Sequence, residues 1–191
     1  MSNDTETASL EFQRVATLDR RALETVMVHG ERPELDALPG WEYRGMNIGI
    51  VARLLRIQKF IKGFLRLPGG EVCGYNVRVR QNGPTGPWVA MPVDEAPYRF
   101  GFYRVTLVTS AAHDNSYLHA LLLDYGRGGN GRLNPLSTLR DYLVRVAPGS
   151  DDLLLGKAFM AVGRPRVPVG YFLLERYRCV RVDPVRSREE Q

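Results

Sequence analysis

Residues 153–180 read LLLGKAFMAV, then GRPRVP, then VGYFLLERYRCV. The outer two runs have strand composition, rich in Leu, Val, Phe and Tyr, and the break between them, with Gly163, Pro165 and Pro168, is turn chemistry. Strands joined by so short a link pair antiparallel, because a parallel partner needs a long crossover. Working toward the N-terminus, the same texture recurs at 40–47, 60–67, 72–80, 98–108 and 117–125. The breaks between these runs hold Pro68, Gly69 and Gly70, then 82–87, then 113–116, then 126–131. Seven or eight strands in series remove their two exposed edges most simply by closing into a barrel. The expected fold is therefore mainly β: an antiparallel up-and-down barrel of seven or eight strands with two or three short helices.

The helices are read from spacing. Leu18, Ala22, Leu23, Val26 and Met27 recur at helical intervals over 19–28, with Thr17 as the cap and Gly30 and Pro33 as the stop. A short amphipathic piece is expected at 51–57. Asn134 and Pro135 form a cap and first-turn pair, and Leu136, Leu139, Leu143 and Val146 follow at helical steps. A strand over 140–146 alternates as well, and the helix is the favoured reading. Residues 153–162 are apolar on both faces, so that strand needs outside cover, which these helices supply. Residues 1–15 are expected to be a disordered N-terminus, 16–182 the single barrel domain, and 183–191 a disordered tail.

The chain has 191 residues, 44% hydrophobic and 25% charged. That suits one domain burying about 70% of its unfolded surface without metal or disulfide staples. No apolar run is long enough for a membrane helix, and the polar, acidic start lacks a secretory h-region, so a cytoplasmic protein without membrane insertion is expected. The net charge is +5, but of the 26 basic residues only Lys59, Lys62 and Lys157 are lysines. No helix carries a basic stripe and no aromatic-basic RNA signature is present, so no specific nucleic-acid partner is expected. Cys73 and Cys179 belong to no metal-ligand spacing and read as two buried thiols acting as small hydrophobes.

The C-terminal third carries a pattern: Arg140, Asp141, Tyr142 and Leu143, then Arg145 and Val146, then Asp152, Leu154, Leu155, Gly156 and Lys157, closing with Tyr171 to Glu175. With the entry segment Leu38 to Gly45, it resembles small bacterial lipocalin-like proteins, loosely those of families named for a G-x-W-x-G motif. Trp41 stands where the motif has its first Gly, and Tyr43 where it has its Trp. The resemblance implies a calycin-type barrel and hands over no catalytic residue. In such barrels a tryptophan and an arginine commonly plug the closed end, a structural role for Trp41, Tyr43 and Arg44.

Gly126 to Gly131 satisfies G-x-G-x-x-G, but no helix opens at its last glycine and the flanking strands read as antiparallel, so it is a loop between strands rather than a phosphate cradle. His113, Asp114, Ser116 and His119 sit at a turn without a nucleophile elbow or zinc motif, so no metal and no cofactor are expected. The informative residues are charges inside apolar alternation: Arg104 among Phe100, Phe102 and Val108, Lys157 among Leu155 and Phe159, and Glu175 among Tyr171, Leu173 and Tyr177. Facing inward, each must pair or meet a polar ligand group, because burying an isolated charge costs several kcal/mol. A Lys157–Glu175 pair in or near the lumen is the specific expectation.

These residues support a non-catalytic barrel that binds a small hydrophobic or amphipathic molecule, with Tyr43, Arg104, His119, Lys157, Tyr171 and Glu175 as candidate contacts. The alternative is a pocket enzyme doing acid–base chemistry of the isomerase or cyclase type through His119, Tyr117, Asp124 or Glu175. An interaction module using the Arg-rich surface is the third reading.

Overall fold

The computed structural model describes residues 7–49, 58–131 and 133–180. Eight strands close into one antiparallel up-and-down barrel in sequence order. They are β1 (Trp41–Ile48), β2 (Lys59–Arg66), β3 (Val72–Arg78), β4 (Arg99–Leu107), β5 (Leu121–Asp124), β6 (Leu139–Arg145), β7 (Leu153–Ala161) and β8 (Arg166–Cys179). Closure comes from β1 against β8, where Arg44 lies opposite Glu175 and Ile48 opposite Tyr171. Among the described residues no helix is long and apolar enough to cross a membrane.

Two helices precede the barrel, α1 (Leu10–Ala16) and α2 (Arg20–His29). The expectation of a disordered start through residue 15 fails for residues 10–15. The Ser9 side chain caps α1 by accepting from the Phe12 N–H, and Phe12 and Val15 are buried against the barrel. Thr17 ends α1 instead of starting α2. Asp19 caps α2, its carboxylate accepting from the Ala22 N–H, and Leu23 and Met27 turn the buried stripe inward. The expected tail at 183–191 and the expected helical piece at 51–57 lie outside the described residues.

The favoured helix after Pro135 is corrected. Asn134 does cap a turn by accepting from the Leu136 N–H, but the 3-10 segment Pro135–Thr138 ends at once. Residues Leu139–Arg145 then form β6, hydrogen-bonded to β5 on one side and β7 on the other. A strand in that place completes both ladders and closes the barrel; a helix would leave two edges unpaired. The segment 126–131 links β5 to its antiparallel neighbour β6, as a loop between strands.

The wall is buried on both faces, and β2 is buried along its whole length except Arg66, its two lysines included. Outside, α1, α2 and the β3–β4 connection cover residues such as Ile61, Tyr75, Leu155 and Leu173. Trp88 of that connection is 1% exposed, donates its Nε1–H to the Gly45 carbonyl at 3.0 Å and meets Phe12 edge-to-face. Inside, a second cluster draws on all eight strands, with Tyr43, Phe64, Val72, Tyr103, Leu121 and Leu174 among its members. Phe64 meets Tyr43 at 5.5 Å and Tyr103 at 5.8 Å between ring centroids, and the Tyr43 hydroxyl donates to the Asp151 carbonyl at 3.1 Å. That end of the barrel is filled and sealed.

Candidate functional site

The described residues leave the opposite end of the lumen unfilled. A cavity of about 1200 Å³ opens there and continues past Ile48 and Tyr171 to Leu18 and Leu23 of the helical cover. Phe60, Phe100, Leu136, Leu139, Ala158 and Phe172 give it apolar walls. Phe172 lies over Gly156, where an added Cβ would stand 2.1 Å from the ring. The absence of a side chain on β7 thus lets β8 turn an aromatic ring flat into the lumen.

Four polar side chains line the inner end of this cavity: Lys62 from β2, Asn76 from β3, Tyr125 just after β5 and Asp141 from β6. All four are buried. Lys62 Nζ donates to Asn76 Oδ1 at 3.0 Å, to Asp141 Oδ2 at 3.2 Å and to the Tyr125 hydroxyl. Tyr125 in turn donates to Asp141 Oδ2 at 3.2 Å. The rings of Tyr103, Tyr125, Phe172 and Phe60 surround Nζ with centroids 4.9, 5.0, 5.2 and 5.5 Å away. The three ammonium protons therefore have partners. Asp141 Oδ1, equally buried, has none. Buried carboxylate oxygens are normally paired, so Oδ1 is an unmet acceptor beside the cavity; it is closed off in this arrangement, and a ligand donor meets it after a small rotation of the Asp141 side chain.

Burial drives the electrostatics of this cluster. It pushes the Lys62 ammonium below its ordinary value and the Asp141 carboxyl above its own, and the attraction between the two opposes both shifts. The Tyr125 phenol is raised, first by burial and then by the Asp141 charge, and stays protonated as a donor.

The residues singled out by sequence lie elsewhere. Tyr43 points inward, but at the sealed end. Arg104 pairs with Glu71 on the outer surface. The His119 Nε2 contacts the Met27 carbonyl of α2 at 2.9 Å. Glu175 is bound by Arg44 at 2.6 Å and lies near the Ser9 N–H that opens α1. Lys157 and Tyr171 line only the outer extension of the cavity and converge on Glu24 of α2, Lys157 at 2.6 Å. The expected Lys157–Glu175 pair does not form: Lys157 lies opposite Tyr171, and Glu175 lies opposite Leu153. The faces carrying Arg104, Lys157 and Glu175 look outward, beneath helices and loops. Of the residues considered for acid–base work, Tyr117 bonds Glu24 and Asp124 pairs with Arg140, both outside the lumen. Cys73 is buried as expected, but Cys179 is exposed at the end of β8.

Sequence reading missed the lumenal four, although the signal was present. Lys62 stands between Phe60 and Phe64 in strand phase, and Asp141 between Leu139 and Leu143, the same pattern that drew attention to Lys157. Compared with protein-family models, curated proteins and solved structures, the chain matches none.

Proposed function

We propose that the barrel binds a small amphipathic molecule, its apolar part against Phe60, Phe100 and Phe172 and its polar head on the Lys62–Asp141 cluster. The observation that carries this reading is Asp141 Oδ1, buried without a partner at the inner end of a cavity with aromatic walls. A ligand hydroxyl or other donor reaching it recovers a hydrogen bond to a charged group, worth about 1.5–3 kcal/mol. Burying the ligand's chain adds roughly 25 cal/mol per Å². The sealed end gives such a molecule one entrance and one orientation.

Native mass spectrometry of freshly purified protein tests this, combined with solvent extraction and with reloading by 1-decanol. The wild type carries one reproducible noncovalent adduct or accepts one decanol. Ala158→Phe, which fills the cavity wall with a ring, lowers decanol affinity about tenfold or more, equivalent to about 1.4 kcal/mol. Equal binding by both proteins, or none by the wild type, ends the proposal.

A further inference from the structure

Lys62 is a primary amine at the end of an apolar cavity, with a carboxyl group and a phenol in direct contact with its nitrogen. Amines in such surroundings lose the hydration that keeps them protonated in water, and an unprotonated amine is a nucleophile toward carbonyl carbon. Asp141 presents its two oxygens differently: Oδ2 to Lys62 and Tyr125, Oδ1 to nothing. That division suits proton traffic, with one oxygen holding the amine and the other uncommitted to any partner.

We propose that Lys62 captures the carbonyl carbon of an amphipathic aldehyde as an imine, with Asp141 carrying the protons, which makes the barrel a covalent aldehyde-binding site. The inference rests on the lumenal-ligand reading and specifies the chemistry of its head group. In the reacting form the proton shared by the pair sits on Asp141, leaving Lys62 as a neutral amine. The nitrogen lone pair forms the C–N bond, the carbonyl π electrons move to oxygen, and that oxygen takes the Asp141 proton. The nitrogen, now carrying an extra proton, returns one to Asp141 and leaves a neutral carbinolamine. Asp141 then protonates the hydroxyl, the C–O bond breaks, and water departs as the nitrogen lone pair forms C=N. The products are one water and a protonated imine paired with the Asp141 carboxylate, so the charge of the site is the same as for the original ion pair. No electron transfer is involved. The four surrounding rings favour the iminium cation through their faces.

The two other lysines provide internal controls. Lys59 also borders the cavity, but its ammonium turns away from Asp141, lying 4.6 Å from the centroid of the Trp88 ring and held by the carbonyl oxygens of Gly86 at 2.9 Å and Pro87 at 3.1 Å and by Asn82. Lys157 is held by Glu24 and the Tyr117 hydroxyl, each at 2.6 Å. Burial holds Lys59 at about 8, so it tests whether a depressed amine bordering the cavity suffices or whether contact with Asp141 is required.

Full-length protein incubated with decanal and cyanoborohydride, then digested and mapped by mass spectrometry, reads the site directly. Among the three lysines the expected result is a decyl group on Lys62 alone, with its labelling slowed in Ala158→Phe and about a hundredfold in Asp141→Asn, the scale of a lost general acid. The label position is read on the wild type and does not depend on whether a variant folds. Decyl on Lys59 or Lys157, or spread over all three lysines, overturns the inference. No label at Lys62 while 1-decanol still binds overturns the imine and leaves the carrier standing. No label and no decanol binding removes both.

Discussion

On the inner face of the barrel wall Lys62 meets Asp141 and Tyr125; on the outer face Lys157 meets Glu24, Tyr117 and Tyr171. Both combine a lysine on a barrel strand with a carboxylate and at least one phenol. They differ in satisfaction and in solvent. In the outer cluster Glu24 Oε1 takes the Tyr117 hydroxyl and Oε2 takes Lys157 and Tyr171, and the Glu24 side chain is 37% exposed. Burial alone would raise that carboxyl, but bonds from Lys157, Tyr117 and Tyr171 outweigh it and hold it at about 2. In the inner cluster burial wins, and one carboxylate oxygen is left over. The outer group is a clamp that fastens α2 to the barrel; the inner group is an unfinished coordination shell that faces a hollow.

The largest expected effect separates the two clusters by stability. Removing one member of the inner pair, as in Lys62→Met, strands a buried carboxyl and costs about 3–5 kcal/mol in chemical denaturation. Replacing both, as Lys62→Met with Asp141→Leu, restores most of that stability, because the desolvation of two charges is no longer incurred. If the single and double variants were equally unstable, the pair would not be an isolated buried couple. Glu24→Gln on the outer face costs only about 1 kcal/mol, since the partly exposed ion pair is screened by water.

Acid unfolding sharpens the same contrast. Glu24 is held below its ordinary value, so its contribution is complete above about pH 4.5 and is lost as the pH falls toward about 2. The stability difference between wild type and Glu24→Gln should shrink over that interval. Asp141 is displaced the other way: its share favours the folded state in acid and is lost as the pH rises through its folded value. A difference that grew as the pH fell would reverse the assignment of the outer clamp. The smallest effect belongs to Arg104→Ala. Its partner Glu71 has a 64% exposed side chain, so thermal denaturation should change by no more than about 0.5 kcal/mol.

The sequence made the barrel legible because seven of the eight strands alternate between turn-rich breaks, and short links dictate antiparallel neighbours. β6 was hidden because Leu136, Leu139 and Leu143 fit a helix as well as a strand, and only the ladders of β5 and β7 decide between them. The site was less legible for a related reason. In a barrel with one solvated face, period-two alternation tells inside from outside; here α1, α2 and the loop with Trp88 bury the outer face too. Charges among apolar neighbours therefore occur on both sides: Lys157 and Glu175 outside, Lys62 and Asp141 inside. The residue type was informative, while the direction depended on register, which a single chain does not display.

With only three lysines in the chain, ¹³C-lysine labelling gives a short list of side-chain resonances, one of them Lys62. Titrating 1-decanol into that protein and following the Cε signals tests the central claim most directly. A saturable shift at Lys62, with Lys157 and Lys59 nearly still, is the result predicted for a head group seated on Asp141. A Lys62 signal that stays fixed at saturating decanol, or moves no more than that of Lys157, would contradict it.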